Sequence, residues 1–569
     1  MRFGPLALAA LCVLTLFSGL GRGGFLDARE ARDARVAREL IANKEFLTPL
    51  YANDSWFEKP IFAYLPDVIA ARLSRSTALH GSPLRSRQIR ALAALALLLL
   101  TGAIAARHFG RGAGWWSALV LASTLGLPIA ARADGTQVWA SLFGWLGAAA
   151  LADAVLSGDG RAERRLLLGY LALAAALLAA GPLAALWPLA GIALYAWLAR
   201  DRRLWSRVRP LAGLTILAGA ALPWYGAMAE RYGAGFLGHA LWFPYGADAP
   251  GPWYLGPLLA LSFLVIGFHP WSALAPEAML HAATWWRFAP RPPRGVIAEQ
   301  RLASEPEALG PVSQAIEREP REESTAHVFI AMLAAALVPV ALHSGTPLTA
   351  ALPAWPAAAI LCGRLIDHAF EDPARLARPI ARAARMMALV GSAGALLTAM
   401  TAQRVPEASA DLRLLAAAAF LTAWLPLLAT WRDLPRVAVV LMVLPVAIGM
   451  PVATTLVLPD MEGYLSTRAV AETMDQQAPR FAPLALIEPP APTLRLYSHR
   501  NLVMVAPAAA ALAPLCASDG LAYLAFPPAR ESEVARRLGV PLEIVSRTPS
   551  LVLARVNPDL ALTLPAAAR

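Results

Sequence analysis

The sequence predicts an all-α polytopic membrane protein with a small α/β domain at its C-terminal end. Of its 569 residues, 57% are hydrophobic and 16% are charged, and the mean hydropathy is +0.51. Apolar runs recur from the N-terminus to about residue 458, as successive bilayer-crossing helices require. The net charge of +11 is carried mainly by arginines between these runs. This pattern favours contact with anionic lipids over binding of nucleic acid.

The apolar segments predict about thirteen transmembrane helices. The first, residues 4–20, is either a cleaved signal peptide or a retained helix. We favour a retained helix, because a charged segment and many further spans follow it. The other predicted spans are residues 89–106, 114–131, 138–156, 166–180, 183–199, 211–229, 254–274, 328–342, 348–365, 386–400, 414–428 and 437–458.

Arginines predict how these helices are oriented. Alternate loops are rich in arginine, and such loops usually face the cytoplasm. The first long loop, residues 21–88, and the loop at 230–253 are then external. Residues 288–327 are rich in Pro and Glu and predict a flexible cytoplasmic linker.

The predicted transmembrane domain is therefore 1–458, followed by an external C-terminal domain at 459–569. Turn residues in this domain separate short apolar runs, which predicts a small α/β fold. Its predicted strands are residues 494–497, 502–505, 521–526, 542–545 and 551–556, with a helix at 531–538.

A charge-dense stretch at 27–60 interrupts this apolar chain. If its first part is helical, Asp27 and Glu30 lie on one face, with Arg32 just round from Glu30. A carboxylate beside the membrane can accept a proton from an acceptor hydroxyl, and a neighbouring cation can hold a phosphate leaving group. The stretch therefore contains candidate catalytic residues.

A purely structural interpretation of the same stretch is also open. Arg29 with Asp33, and Arg35 with Glu39, are oppositely charged pairs four residues apart, as on an ordinary solvated helix. Further along, aromatic residues could anchor the chain at the interface while Lys59 extends its ammonium towards water.

Several short motifs occur in an order found in one enzyme family. They are Glu30-Ala31-Arg32, Ala37-Arg38-Glu39-Leu40, Thr48-Pro49, Phe57-Glu58-Lys59-Pro60, Leu222-Pro223-Trp224-Tyr225, His239 and Pro270-Trp271. The chain thereby resembles the bacterial membrane glycosyltransferases of the GT-C fold. That group contains the lipid A aminoarabinose transferase and protein O-mannosyltransferases.

The resemblance implies inverting transfer of a sugar from a polyprenyl-phosphate-linked donor to a lipid, glycan or protein acceptor. The reaction would take place on the periplasmic face of a bacterial inner membrane. Carried over by position, Asp27 or Glu30 is the catalytic acidic residue, while Arg32 and Lys59 contact the donor phosphate.

Four further residues are candidates for the same cavity. Glu58 and His239 match family positions that can contribute to a divalent metal site, although two such residues do not define one by spacing. Arg132 and Asp134, at the outer end of a predicted span, form either an ion pair or part of the cavity.

Two other functions compete with a transferase. A transporter or flippase for an amphipathic lipid would show internal repeats and charges near mid-membrane. The sequence shows no repeat, and its charge is concentrated in an external loop, which favours the enzyme. The second alternative is a catalytically silent relative, because Arg29 and Ala180 stand where the family has Asp and Lys.

Overall fold

Helices make up most of the described chain. The computed structural model describes residues 4–25, 28–73, 83–156, 162–200, 203–240, 255–283, 311–341, 348–478, 484–487, 492–497, 502–504, 522–538 and 542–556.

The helices before the C-terminal segment are α1 (Gly4–Cys12), α2 (Ala28–Asn43), α3 (Leu65–Leu73), α4 (Leu84–Phe109), α5 (Arg111–Ala122), α6 (Gly126–Ala133), α7 (Gly135–Leu156), α8 (Ala162–Ala180), α9 (Pro182–Ala199), α10 (Arg203–Val208), α11 (Pro210–Ala240), α12 (Leu255–Gly267), α13 (Ala275–Ala283), α14 (Pro311–Ala341), α15 (Trp355–Glu371), α16 (Pro373–Ala402), α17 (Ser409–Trp431), α18 (Pro435–Leu441) and α19 (Leu444–Val452). Helix α1 continues as a π-helical turn at Val13–Phe17, and 3₁₀ turns at Ile61–Ala63, Trp271–Ala273 and Leu348–Ala354 connect other elements.

The protein is a multi-pass membrane protein. Within the described ranges, eight helices are long and apolar enough to cross a bilayer, or up to ten if each of two bent helix pairs is one span. Two shorter apolar helices cover Gly4–Phe17 and Thr325–Ala341. The predicted total of about thirteen spans stays a prediction.

Two predicted spans are bent rather than straight. The predicted span 114–131 is α5 and α6, which meet at 57°, and the span 254–274 turns by 117° after α12. The two breaks contact each other: the backbone N–H of Leu125 donates to the carbonyl of His269, 2.9 Å away. The indole N–H of Trp271 donates to the hydroxyl of Ser123, also at 2.9 Å. Backbone groups freed by each break are thus satisfied inside the protein, as a membrane interior requires.

Two predicted loops are partly helical. The flexible linker was expected to reach residue 327, but α14 begins at Pro311. Proline suits the first position of a helix, and the Glu, Gln, Ala and Arg that follow are good helix formers. The external loop expected from residue 230 is also helical as far as Ala240, where α11 ends after a break at Gly233. Gly233 has φ +56°, a conformation that favours glycine.

Strands β1 (Leu50–Tyr51) and β2 (Asp54–Ser55) form an antiparallel hairpin in the loop between α2 and α3.

The C-terminal segment contains five more strands: β3 (Leu484–Leu486), β4 (Leu502–Met504), β5 (Ala522–Phe526), β6 (Glu543–Arg547) and β7 (Val552–Val556). They form one sheet in the order β4-β3-β5-β7-β6. Strand β3 is parallel to β4 and β5, and β7 is antiparallel to β5 and β6. The helices of this segment are α20 (Leu458–Asp460), α21 (Glu462–Leu465), α22 (Arg468–Gln477), α23 (Pro492–Tyr497) and α24 (Glu531–Leu538).

The predicted strand at 494–497 is wrong, since these residues lie in α23. Helical spacing brings the buried side chains of Leu494 and Tyr497 to one face. Both belong to an apolar cluster that also contains Ala31 and Ala34 of α2. The Tyr497 hydroxyl accepts a hydrogen bond from the backbone N–H of Phe25 at 2.6 Å. The C-terminal segment and the segment between α1 and α4 therefore lie on the same side of the membrane.

We expect that shared side to be outside the cytoplasm. A reporter that is active only in the cytoplasm should be silent when fused after Arg569. The same reporter inserted between residues 288 and 310, ahead of α14, should be active, because the arginine pattern places that linker inside. Strong cytoplasmic activity of the fusion at Arg569 would reverse the orientation of the whole protein.

Candidate active site

Helix α2 presents different residues to its neighbours. Its sequence, AREARDARVARELIAN, is rich in strong helix formers. Ala31 and Ala34 face the C-terminal segment, whereas Val36 and Leu40 pack with the loop that contains the β1–β2 hairpin. The acidic side chains of Glu30 and Asp33 are buried as well. Buried charges need oppositely charged or hydrogen-bonding partners. The partners of these two acids lie on α4 and on the loop after the hairpin.

Glu30 lies in a closed ion pair. Its carboxylate is 1% exposed and accepts hydrogen bonds from Arg87 Nε and Nη2, each at 2.8 Å. Arg90 Nη1 lies 3.6 Å from the same carboxylate. Arg87 also donates to the carbonyl of Gly24 at 2.8 Å. Such two-point binding by an arginine fixes the position of a carboxylate. The other acid predicted for catalysis, Asp27, lies outside the described residues.

Adjacent residues of α2 form two further ion pairs with the Phe57-Glu58-Lys59-Pro60 motif. The ammonium of Lys59 lies 2.9 Å from both carboxylate oxygens of Asp33. Arg32 donates to Glu58 at 3.1 Å. The structure thus brings Arg32, Glu58 and Lys59 together, as the motifs predicted, and adds Asp33 to the group.

The expected partner of Asp33 was wrong. Helical spacing offered Arg29 as its partner, but the carboxylate of Asp33 binds Lys59. The second predicted pair on this helix, Arg35 with Glu39, is confirmed at 2.8 Å. Lys59 is 3% exposed, so its ammonium points into the protein. An interfacial lysine reaching for water is therefore excluded.

A third buried pair lies next to these. Arg90 donates to both carboxylate oxygens of Asp67 at 2.8 and 2.9 Å. Asp134 accepts a hydrogen bond from the Thr349 hydroxyl at 2.9 Å and from the backbone N–H of Gln137 at 3.3 Å. The site thus consists of buried carboxylates paired with buried cations. It lies where α2, α3, α4 and the start of α7 approach each other.

Burial changes the acidity of the Asp33–Lys59 pair. Burial raises the pKa of Asp33 to about 7, although the charge of Lys59 opposes this rise. The pKa of Lys59 is lowered by burial but raised more by Asp33, Glu58 and Asp134, so that it lies above its usual value. Burial thus favours the neutral form of Asp33, whereas the surrounding carboxylates favour the protonated form of Lys59.

Three buried donors around this pair have unused hydrogens. The Tyr64 hydroxyl, Arg32 Nε and the indole nitrogen of Trp56 have no hydrogen-bond partner within the described part of the chain. The guanidinium of Arg32 lies over the Trp56 ring, 6.0 Å from its centroid. Buried donors are rarely left unpaired in native proteins. Their grouping beside two cations is typical of a site for an oxygen-rich, anionic ligand.

The loop that carries Lys59 is held in place at two points. Glu39 accepts hydrogen bonds from the backbone N–H groups of Ala52 and Asn53 at the hairpin turn, where both residues have positive φ. The indole N–H of Trp224 donates to the carbonyl of Leu47 at 2.9 Å. The Leu-Pro-Trp-Tyr motif of the sequence therefore anchors this loop to α11.

The remaining predicted site residues lie apart from the ion pairs. His239 is exposed, and its ring centroid lies 6.0 Å from that of Phe57. Arg132 donates to backbone carbonyls of Thr15, Pro128 and Ser18 and so fastens α6 to the first helix. It does not pair with Asp134, because the two side chains have different partners. Among the described residues, no group of three or more His, Cys, Asp or Glu side chains could hold a metal ion.

Fold and site define a polytopic membrane protein in which α2 and the loop after the β1–β2 hairpin build a buried ionic site against the helix bundle. Over 98% of its length, the chain is similar to the crystal structure of ArnT from Cupriavidus metallidurans bound to undecaprenyl phosphate, with a TM-score of 0.72, 21% identity and 98% of that chain covered. The apo state of the same protein gives a TM-score of 0.70 at 19% identity, with 97% of both chains covered. The GT-C fold expected from the motifs is thereby confirmed. No family model and no curated protein matches the sequence.

We expect Glu30→Gln to destabilise the folded protein. The substitution leaves the buried guanidinium of Arg87 without its charged partner, and breaking a buried ion pair typically costs about 3–5 kcal/mol. Thermal denaturation of the purified protein in detergent measures the loss.

Glu472→Gln is the matched control, since Glu472 forms an exposed pair with Arg468 one helical turn away. It should change the free energy of unfolding by less than about 0.5 kcal/mol. Equal stability of the two variants would show that the Glu30–Arg87 pair contributes nothing to the fold.

Proposed function

We propose that the protein is an integral membrane glycosyltransferase. It moves a sugar from a polyprenyl-phosphate-linked donor to a lipid, glycan or protein acceptor on the periplasmic face. The observation that carries this proposal is a group of three buried donors beside the ammonium of Lys59. They are Arg32 Nε, the indole nitrogen of Trp56 and the Tyr64 hydroxyl, which have no hydrogen-bond partner within the described ranges. The likeness in fold to an ArnT bound to undecaprenyl phosphate supports it from a separate direction.

The chemistry follows from what the reaction must stabilise. As the acceptor hydroxyl attacks the anomeric carbon, the bond from that carbon to the phosphate oxygen breaks and negative charge grows on the phosphate. Positioned cations and N–H donors stabilise such charge most strongly where water is excluded. Arg32 supplies a guanidinium with an unused Nε–H, and Lys59 supplies an ammonium. Because the site is external, a lipid-linked donor replaces the nucleotide sugars of the cytoplasm.

The sugar and the acceptor are identified by comparing cells. Mass spectrometry of envelope glycolipids, lipid A among them, and of envelope proteins is carried out with and without this protein. The transferred sugar is the mass increment that disappears with the protein. An envelope without any such change would favour the catalytically silent alternative.

We expect Arg32→Gln to weaken binding of undecaprenyl phosphate. A hydrogen bond to a charged group typically contributes about 1.5–3 kcal/mol, so affinity should fall by roughly 10- to 100-fold. The fold should survive, because the partner Glu58 is partly exposed to water. Binding is measured by titration calorimetry on the purified protein.

Arg72→Gln removes the same charge from the exposed surface of α3 and serves as the control. Its affinity for undecaprenyl phosphate should stay near that of the wild type. Wild-type affinity in Arg32→Gln, or an equal loss in both variants, would contradict a phosphate-binding role for Arg32.

A further inference from the structure

The carboxylates of the site differ in the kind of group that binds them. Glu30 is bound by Arg87, and Asp67 by Arg90, in each case through two hydrogen bonds. A guanidinium binds a carboxylate through a rigid, planar set of N–H donors, so both carboxylates are held in place. Asp134 accepts hydrogen bonds from Thr349 and from the backbone at the start of α7. These three acids therefore have fixed structural partners.

Asp33 differs because its partner is a lysine. Lysine is a compact charge on a flexible stem, and its three N–H groups can turn from one oxygen ligand to another. The ammonium of Lys59 is also a cation that the proposed donor phosphate would bind. Phosphate and Asp33 therefore compete for the same group.

The charged and titratable groups around Asp33 come from several elements. Lys59 and Glu58 come from the loop after the hairpin, Asp67 from α3 and Arg90 from α4. Burial and then the charge of Asp33 raise the pKa of the Tyr64 hydroxyl, which has no hydrogen-bond partner within the described ranges. The surroundings thus contain two further acids and one fixed cation besides Lys59.

We propose that Asp33 is the general base of the transfer, and that the donor phosphate releases it by taking Lys59. This inference rests on the proposed function. In the step, the acceptor O–H gives its proton to Asp33 while its oxygen bonds to the anomeric carbon. The bond between that carbon and the phosphate oxygen breaks, and the phosphate leaves with the electron pair, held by Lys59. The product state is then a protonated Asp33 beside a polyprenyl phosphate paired with Lys59.

Formation of this product state should change the number of protons bound to the protein, which can be measured. Losing Lys59 removes the charge that opposes protonation, so the pKa of Asp33 rises above its value of about 7 in the free protein. Binding of undecaprenyl phosphate should therefore take up a proton at Asp33, and affinity should increase as pH falls from 8 to 6. Transfer has the opposite dependence and should decrease over that range, because a base must start without its proton.

Calorimetric titration of the purified full-length protein with undecaprenyl phosphate tests the proposal. Titrations in buffers of different ionisation enthalpy give the number of protons taken up. The wild type should take up more protons than Asp33→Asn, which removes the titrating group. At pH 8 Asp33→Asn should bind at least as tightly as the wild type, since Asn competes less for Lys59. Its transfer, measured as envelope product, should fall by about 100-fold or more.

Asp54→Asn is the matched control, because Asp54 is an exposed carboxylate in the same external loop. It should leave proton uptake, affinity and transfer unchanged. Equal proton uptake in Asp33→Asn and the wild type would overturn the proposal, as would wild-type transfer by Asp33→Asn. Loss of both binding and transfer in a folded Asp33→Asn protein would make Asp33 a structural residue.

If Asp33→Asn does not fold, the pH dependence of undecaprenyl phosphate binding by the wild type tests the inference. Affinity that does not change between pH 8 and pH 6 would overturn the inference while leaving the proposed function intact. Absence of any binding by the wild type would instead contradict the proposed function, and the inference would fall with it.

Discussion

The buried ion pairs between α2 and its neighbours are the constraint on which the rest of the site depends. Moving a charged group out of water costs several kcal/mol per ion. Only the attraction of a close, well-oriented partner offsets this cost. Arg87 and Arg90, in the first turns of α4, meet this requirement for Glu30 and Asp67. The Glu30–Arg87 pair ties α2 to α4, and the Asp67–Arg90 pair ties α3 to the same helix. In this arrangement, Arg32 and Asp33 of α2 contact the loop that carries Glu58 and Lys59.

The C-terminal segment supports α2 from its other side. Ala31 and Ala34 are small, which lets α2 approach the apolar cluster around Tyr497 closely. Gly24 shows how tight this contact is, since a Cβ there would lie 2.4 Å from the Tyr497 hydroxyl. The helix that carries the candidate site is therefore held between a membrane bundle and a sheet. A shift of either would change the distance between Asp33 and Lys59.

The sequence predicted the members of the site better than their contacts. Short motifs brought Arg32, Glu58 and Lys59 together correctly, because residues that serve one site recur in a fixed order. The structural interpretation paired Asp33 with Arg29, because helical spacing reports only neighbours on the same helix. Arg87 and Arg90 were missed because they lie on either side of the predicted start of the span at residue 89, and neither was considered as a partner for an acid. Two arginines entering such a span are the signal that could have revealed the buried acids. The breaks after α5 and α12 depend on contacts between distant segments, which hydropathy does not report.

A structure of the complex tests most directly whether the polyprenyl phosphate takes Lys59 from Asp33, as proposed. An experimental structure with undecaprenyl phosphate bound would give the distance from Lys59 Nζ to the Asp33 carboxylate, which is 2.9 Å in the free protein. We expect Lys59 Nζ within hydrogen-bonding distance of a phosphate oxygen and beyond about 4 Å from Asp33. A phosphate bound elsewhere, with the Lys59–Asp33 pair intact, would contradict the account.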